Sequence, residues 1–529
     1  MEEKKAAGGR DQGHPEGGIG EEIKMKYRVT IIMILMLAVA SRAIGIGVYP
    51  VGIHADEAYA GYEAYSMLMD GIDSRGYHNP VYLTVWGSGM SVLASLFMMP
   101  FIRLGGLNLA MVRMPQMLLG VLSVLLLYLM VKRISNQRMA LWAGFLLAVC
   151  PWHIMMSRWG LDANLAPAFI LFAMYFSVLG LEKEQYFILA ALFWGASLYT
   201  YALTWIFVPV FLICSFIYCA RYRKLPCSKY VCISVLVLGL MALPLMLFVA
   251  VNKGFLPEII TPYFSVPKMA EFRSDELRLS SIGENLRDFL RIYIKQNDMN
   301  RMNTIPYFGL YYLFSLPFMV LGGWNCLSGT IQNIKNKTFG YDIFLLFWLF
   351  ICTIIGMLRS MSAYRANVMN LAVFLLVVKG VYFLCQKMNR KWMTRGLILL
   401  YITSFSIFEM YYFTVYQDDI KNIQNAGLEQ ALEYTLDLQN DGEKIHVMNQ
   451  IAHPKVLFYT KCPADLFQST VRWKNYPAKW LYAEHFDCFV WDEEQMEGNI
   501  FVICAGDMER YEAAGYQTEQ FDACAVAYR

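Results

Sequence analysis

The sequence predicts a polytopic α-helical membrane protein that ends in a small α/β domain. Three observations predict it. Hydrophobic residues make up 57% of the 529 positions and charged residues only 16%, whereas soluble domains carry roughly 25% charged residues. Apolar runs of spanning length recur along most of the chain. After Tyr416 the composition turns polar and no further spanning run follows. The mean hydropathy of +0.38 agrees. The formal charge of +3 is bland and makes no case for a nucleic-acid partner. Together these figures exclude a disordered chain, a fibrous protein and an ordinary soluble enzyme.

Residues 1–26 are polar and Gly-rich, which predicts a disordered cytoplasmic tail. The first apolar run, Tyr27 to Tyr49, follows Lys24, Lys26 and Arg28. Basic flanks of that kind hold an N-terminus inside. A cleaved signal peptide with Ala38-Val39-Ala40 as its small-residue site is the competing reading, and the many later runs argue against it. Those runs lie near 84–104, 112–132, 139–157, 162–181, 186–203, 205–220, 229–251, 306–327, 340–358, 364–385 and 394–415, twelve with the first.

Loop charge tests this count. The clusters are Lys132/Arg133/Arg138, Lys183, Arg221/Arg223/Lys224/Lys229, Lys335/Lys337 and Lys387/Arg390/Lys391/Arg395. If all twelve runs cross, every cluster falls outside. If one run before residue 132 does not cross, every cluster falls inside. The run at 84–104 is interrupted by Gly87, Gly89 and Pro100 and is followed by Gly105-Gly106. It is therefore read as a re-entrant or surface element on the outer side, where protein must cover its irregular backbone. The expectation becomes about eleven transmembrane helices over 27–415, with outer loops 50–111 and 252–305. The N-terminus is cytoplasmic, and the small α/β domain of residues 416–529 is extracytoplasmic. In that domain Asp419–Gln439 reads as helix, and Ile445–Met448, Val456–Tyr459, Cys488–Trp491 and Ile500–Cys504 read as strands. Its cysteines, Cys462, Cys488, Cys504 and Cys524, allow three pairings or none. No CxxC or HExxH spacing signals a metal site, a divalent cation included.

The strongest local feature is the first outer loop, with Asp56-Glu57, Glu63, Asp70 and Asp73. A carboxylate at a membrane–water boundary suits general-base work, because partial burial raises its proton affinity. The plain alternative is a solvated acidic loop. Arg113, Arg158, Arg359 and Arg365 fall on the outer side, against the inside bias, and Arg42 sits late in the first span. Arginine offers a planar fork of donors to a lipid-linked phosphate. Each alone also reads as a snorkelling anchor.

These residues form an ordered series: Asp56-Glu57-Ala58, Gly61-Tyr62-Glu63-Ala64, Gly71-Ile72-Asp73 to Gly76, Asn79-Pro80, Gly106 to Val112-Arg113, Pro151-Trp152-His153, and Ser157-Arg158 through Asp162 and Asn164. Tyr199-Thr200-Tyr201 extends it. The series resembles the polyprenyl-phosphate-sugar-dependent membrane glycosyltransferases of the GT-C type. The likeness is to the bacterial branch of glycosyltransferase family 39, related to protein O-mannosyltransferases and lipid A aminoarabinose transferases. It spans about residues 27–385 and is dense over the first 205.

The resemblance implies Asp56 as catalytic base with Glu57 beside it. It implies Arg113 as a contact of the donor phosphate or as structural support for the loop, Arg158 and Arg365 as contacts of the donor phosphate, and Asp162 as a supporting residue. Relatives carry a basic residue beside the proline that precedes the 84–104 run. Here the stretch reads His78-Asn79-Pro80-Val81, and His78 is the candidate substitute. The implied reaction moves a sugar from a polyprenyl-phosphate donor in the plasma membrane to a hydroxyl of an acceptor protein, lipid or glycan, with inversion. The outer stretch Ile282–Ile294 reads as a surface helix that covers the site or grips the acceptor. A polytopic transporter or flippase and a polymerase of lipid-linked saccharides are the competing readings. No internal repeat supports transport.

Overall fold

The computed structural model describes residues 16–225, 228–272, 279–440, 442–492 and 498–529. Helix α1 (Glu16–Ala43) opens it. The tail expected to be disordered over 1–26 is thus helical from Glu16, since extending a helix costs far less than nucleating one. Residues 1–15 of that expectation lie outside the described residues. A loop leads to α2 (Ala55–Met69), α3 (Leu93–Gly105) and α4 (Leu109–Ile134). The run at 139–157 divides into α5 (Gln137–Ala148) and α6 (Pro151–Met156), because Pro151 lacks the N–H that would continue α5 and instead starts a new first turn. A 3₁₀ turn at Asp162–Leu165 precedes α7 (Ala166–Glu182), followed by α8 (Tyr186–Ser197), α9 (Thr204–Arg221) and α10 (Lys229–Asn252).

The second long loop carries a two-stranded ladder, β1 (Ile259–Ile260) and β2 (Ser265–Val266), and helix α11 (Ile282–Ile294). Helices α12 (Leu316–Lys335), α13 (Asp342–Leu358), α14 (Asn367–Met388) and α15 (Lys391–Phe413) complete the helical body. The run at 306–327 becomes regular only at Leu316, after Pro306 and a left-handed Gly309 (φ +69°). Among the described residues six helices are long and apolar enough to cross a membrane: α4, α7 with its 3₁₀ turn, α9, α10, α14 and α15. Helices α3, α8 and α13 are shorter apolar ones. The chain is a multi-pass membrane protein.

Helix–helix packing follows small residues. A Cβ at Gly322 of α12 would sit 1.8 Å from the Leu376 carbonyl oxygen, and one at Gly380 of α14 1.9 Å from that of Phe318. Only glycine lets these two backbones cross so closely.

Side-chain contacts sort the helix ends into two faces. Arg133 pairs with Glu182, Tyr382 Oη donates to Asn136 Oδ1 (3.0 Å), and Tyr218 Oη bonds Gly340 (3.1 Å). These contacts join the basic ends of α4, α7, α9, α12 and α14. Asp56, Arg158, Asp162 and Tyr364 gather at the opposite face. Helix α3 lies on that opposite face, where Ser95 Oγ donates to the Ala60 carbonyl of α2 (2.8 Å). The irregular stretch before it, residues 80–92, is covered by protein as the bilayer argument required.

Beyond α15 the chain folds into the α/β domain. The stretch expected as one helix over Asp419–Gln439 is two, α16 (Val415–Gln424) and α17 (Leu428–Leu438). They break where Asn425 (φ +54°) and Gly427 (φ +85°) turn left-handed. Then come β3 (Ile445–Val447), α18 (His453–Thr460), α19 (Ala464–Thr470), β4 (Arg472–Trp473), β5 (Ala483–Phe486), β6 (Phe489–Val490), β7 (Ile500–Cys504), α20 (Met508–Ala513), β8 (Gln517–Phe521) and β9 (Cys524–Tyr528). The sheet order is β4-β5-β6-β3-β7-β9-β8. Strand β3 runs parallel to β6 and β7, and the other pairs are antiparallel. Val456–Tyr459, expected as a strand, is helical instead. Pro454 at the start of α18 fixes a helical first turn. The described cysteines are free thiols, although Cys504 and Cys524 face each other across β7 and β9.

Candidate active site

The candidate site is built at the N-terminus of α2. His54 caps the helix: its Nδ1 accepts the Asp56 backbone N–H (3.0 Å). Burial holds the imidazole below its usual range, against the pull of the neighbouring Asp56 carboxylate, so the ring is the neutral acceptor this bond needs. Asp56 and Glu57 occupy the first turn, where the helix dipole favours negative charge.

The two carboxylates have different lives. Glu57 is fully buried and paired with a fully buried Arg113, Nε to Oε1 at 2.9 Å and Nη2 to Oε2 at 3.0 Å. The Gly160 N–H also donates to Glu57 Oε1 (2.7 Å), and a Cβ at Gly160 would crowd that oxygen at 2.9 Å. Arg113 spends its remaining donors on the carbonyls of Ile46 (3.3 Å), Pro50 (2.9 Å) and Gly52 (2.9 Å). A guanidinium has five N–H donors, and all of them are engaged.

Asp56, in contrast, is partly open, with 25% of its side chain exposed. Its Oδ1 accepts the indole N–H of Trp86 (2.7 Å), and its Oδ2 lies 3.9 Å from His54 Nδ1. Trp86 holds a left-handed backbone (φ +61°) between strands of irregular chain. For a bulky side chain that is a strained conformation costing about 1–3 kcal/mol, typical of functional positions.

Asp162 and Tyr364 lie within electrostatic range of this carboxylate. Tyr364 Oη donates to Asp162 Oδ1, which also accepts the Ala163 N–H (2.7 Å). Tyr201 packs edge-on against Tyr364, centroids 5.8 Å apart. Asn164 Oδ1 accepts from Asn367 Nδ2 (2.8 Å), tying the 3₁₀ turn to α14. Arg365, next to Tyr364, is half-buried and donates one long bond to the Ser360 carbonyl (3.3 Å).

The other expected arginines are structural in this geometry. Arg158 is fully buried and donates to the carbonyls of Ser41 (3.2 Å), Arg42 (3.0 Å), Ile44 (2.7 Å) and Tyr49 (3.1 Å), capping the C-terminal end of α1. Its guanidinium carbon lies 5.1 Å from the Phe413 ring centroid. Arg42 caps α5 through the carbonyls of Leu147 (3.0 Å) and Ala148 (3.0 Å) and touches His153 Nδ1 (2.8 Å). All donors of Arg113 and the four terminal donors of Arg158 are spent on the chain, which favours a structural role for both, and the buried Nε of Arg158 has no hydrogen-bond partner. His78 sits on an exposed turn, where its Nδ1 bonds the Gly71 carbonyl (3.0 Å). The structure does not bring it to Asp56. Arg359 is half-buried at the end of α13.

The Gly71-to-Gly76 motif is a braced turn. Asp73 Oδ1 accepts the N–H groups of Arg75 (2.9 Å) and Tyr77 (2.8 Å). Glu63 accepts the Ser74 N–H (2.8 Å) and its hydroxyl. Burial, with the Asp73 charge adding, pushes the Glu63 carboxyl up to about 8. Burial lifts Asp73 to about 6, opposed by the N–H groups it accepts.

The C-terminal domain is part of the site's frame. Helix α18 lies on α2, where a Cβ at Gly61 would meet Phe458 at 2.8 Å. Tyr62 Oη donates to the Cys462 carbonyl (2.6 Å), and Tyr59 Oη bonds His453 Nε2. Helix α16 grips the loop before Asp56: Ile53 N–H donates to the Gln424 carbonyl (3.2 Å) and Val51 N–H to Gln417 Oε1 (2.8 Å). Among the described residues no group of three His, Cys, Asp or Glu side chains could hold a metal ion. Sequence reasoning missed Trp86 and His54. The flanking Gly87 and Gly89 were the only signal for Trp86, since its indole reaches Asp56 through a tertiary contact.

The fold is similar to that of solved polytopic membrane proteins, and one central segment matches a family model. Residues 90–248 match the family described as dolichyl-phosphate-mannose-protein mannosyltransferase. Arg113, Arg158 and Asp162 lie inside the matched segment, and Asp56 precedes it. No curated protein matches the chain. Among solved structures, ArnT from Cupriavidus metallidurans bound to undecaprenyl phosphate is similar, with 12% identity, TM-score 0.55, and coverage of 94% of this chain and 97% of that one. The same enzyme in the apo state gives 11%, 0.52, 96% and 98%. The Archaeoglobus fulgidus oligosaccharyltransferase in complex with Zn and sulfate gives 13% and 0.50 over 82% of this chain and 61% of that one. At these identities the likeness is one of fold.

Proposed function

We propose that the protein is an inverting glycosyltransferase that moves a sugar from a polyprenyl-phosphate donor to an acceptor hydroxyl on the outer side of the plasma membrane. The observation that carries this reading is the Asp56 carboxylate. It is the partly open acid in a buried polar cluster, held by the Trp86 indole at 2.7 Å and within electrostatic range of the Asp162–Tyr364 pair. The matched mannosyltransferase segment and an ArnT fold solved with undecaprenyl phosphate support the donor class.

Asp56 takes the proton of the acceptor hydroxyl. The oxygen attacks the anomeric carbon as the bond from that carbon to the phosphate oxygen breaks. Polyprenyl phosphate leaves with the negative charge, and configuration inverts. Arg365 is the phosphate contact in this reading, because its guanidinium is half-buried and holds a single weak bond. Glu57, Arg113 and Arg158 act through the loop that presents Asp56. The cytoplasmic N-terminus, the membrane domain at 27–415 and the outer domain at 416–529 belong to the same proposal. The donated sugar is a hexose or pentose, of the mannosyltransferase-like kind.

The test is to incubate the purified protein with a panel of polyprenyl-phosphate sugars and measure released polyprenyl phosphate. Release from one donor, dependent on Asp56, is the expected result. Passage of an intact lipid-linked sugar across a vesicle membrane without release would favour a flippase instead.

A further inference from the structure

The geometry points to the β4–β5 hairpin loop as the acceptor wall of the site, and to an anionic saccharide as the acceptor. The inference rests on the transferase reading above and names the acceptor class that reading leaves open.

The loop is rigid and joined to the candidate base. Lys474 N–H donates to the Tyr482 carbonyl (2.9 Å). Asn475 closes the loop from inside, accepting the Tyr482 N–H (3.0 Å) and donating to the Trp480 carbonyl (2.7 Å). The Leu481 N–H then donates to the Trp86 carbonyl (2.7 Å). A Cβ at Gly87 would lie 2.3 Å from the Ala478 carbonyl oxygen, so glycine permits this contact. Trp86 thus binds Asp56 with its indole and the hairpin with its backbone. Its ring meets the Trp480 ring edge-on, centroids 5.6 Å apart. An acceptor hydroxyl on Asp56 therefore belongs to a molecule that reaches the hairpin within one or two sugar units.

The surface chemistry of the loop selects the class. Trp480 is 42% exposed, Tyr482 53% and Tyr476 61%. Large aromatic rings held out on a pre-organised loop supply contact area at small entropic cost, and the C–H face of a pyranose is their natural complement. From Arg472 to Ala483 there are three basic residues and no acidic one. Lys474 bonds Asn449 (2.7 Å) and Lys479 lies 3.6 Å from Glu271, while Arg472 is exposed. Rings for sugar faces and a local excess of positive charge fit a saccharide that carries carboxylates or phosphates.

The test uses the full-length protein in neutral detergent, without donor. It is titrated with a galacturonic acid hexamer and with maltohexaose, and binding is read by calorimetry. The charged hexamer should bind about tenfold more tightly and weaken with salt. Trp480→Ala and Lys474→Gln should each weaken it by about fivefold or more, and Trp480→Phe should retain it. Lys474→Gln and Tyr482→Ala leave Trp86 untouched, so a misfolded Trp480→Ala does not decide the matter. Equal affinity for maltohexaose, unchanged affinity in Lys474→Gln and Tyr482→Ala, or no binding of the charged hexamer would overturn the proposal. So would a loss confined to binding of nanodiscs of anionic phospholipid, which would make the hairpin a membrane contact. Because the assay contains no donor, failure of polyprenyl phosphate release is a separate result that bears on the transferase reading alone.

Discussion

Asp56 and Glu57 are adjacent in the chain, yet burial and partners give them opposite work. Glu57 is one half of an ion pair with no exposed atoms to spare, and Asp56 keeps an open oxygen. Removing one partner of a buried pair leaves the other charge uncompensated, at a cost of about 3–5 kcal/mol. Glu57→Gln should therefore lower the melting temperature in detergent and release Arg113 from the 44–54 loop. Trp86→Phe keeps the ring and deletes the N–H that Asp56 accepts. Hydrogen bonds to charged groups contribute about 1.5–3 kcal/mol. We expect kcat to fall by about tenfold to a hundredfold with little change in KM for the donor. An unchanged kcat would separate Trp86 from the chemistry. Arg365→Gln should act the other way, weakening the donor while the melting temperature holds. The Asp-Glu pair and the arginines were visible as residues in the sequence. Which arginine is free was not, because that depends on carbonyl groups of Ile46, Pro50 and Tyr49 that converge only in the fold.

At the scale of elements, α2 is fixed at both ends and along one side. His54 caps it, the braced 71–77 turn follows it, and α18 covers it. The Glu63 carboxyl inside this turn has its proton affinity raised by burial to about 8, and Asp73 to about 6. In the unfolded chain both ionise near the ordinary carboxylate range of about 4. The folded state therefore binds more protons, and this contribution is fully present below pH of about 4 and lost as pH rises through 8. Relative to the intrinsic exchange rate, α2 amides should exchange faster as pH rises from about 4 to about 8, and Glu63→Gln should flatten that rise. An equal rise in Glu63→Gln would assign the effect elsewhere. Helices were well marked by apolar runs, since bilayer thickness sets their length. Strand and helix were confused at Val456–Tyr459, where four apolar residues carry no period and a tertiary neighbour decides.

At the scale of the whole molecule, the basic ends of the helices meet on one face and the candidate site lies on the other. Contacts such as Arg133 with Glu182 and Tyr382 with Asn136 gather the first group. A reporter fused after Lys132 should read as cytoplasmic and one fused after Arg529 as extracytoplasmic. An extracytoplasmic reading after Lys132 would restore a twelve-span count. The run at 84–104 was legible as an exception because glycine and proline interrupt it. The role of the C-terminal domain was not legible, because Gln424, Phe458 and Leu481 reach Ile53, α2 and Trp86 from more than 360 positions away in the chain.

The central claim is that Asp56 is the base that activates the acceptor. Single-turnover transfer with a polyprenyl-phosphate sugar tests it most directly, comparing the wild type with Asp56→Asn at matched melting temperature. General-base catalysis contributes about a hundredfold to ten-thousandfold. A loss of that size is expected, with donor binding retained. Near-normal transfer by Asp56→Asn would contradict it.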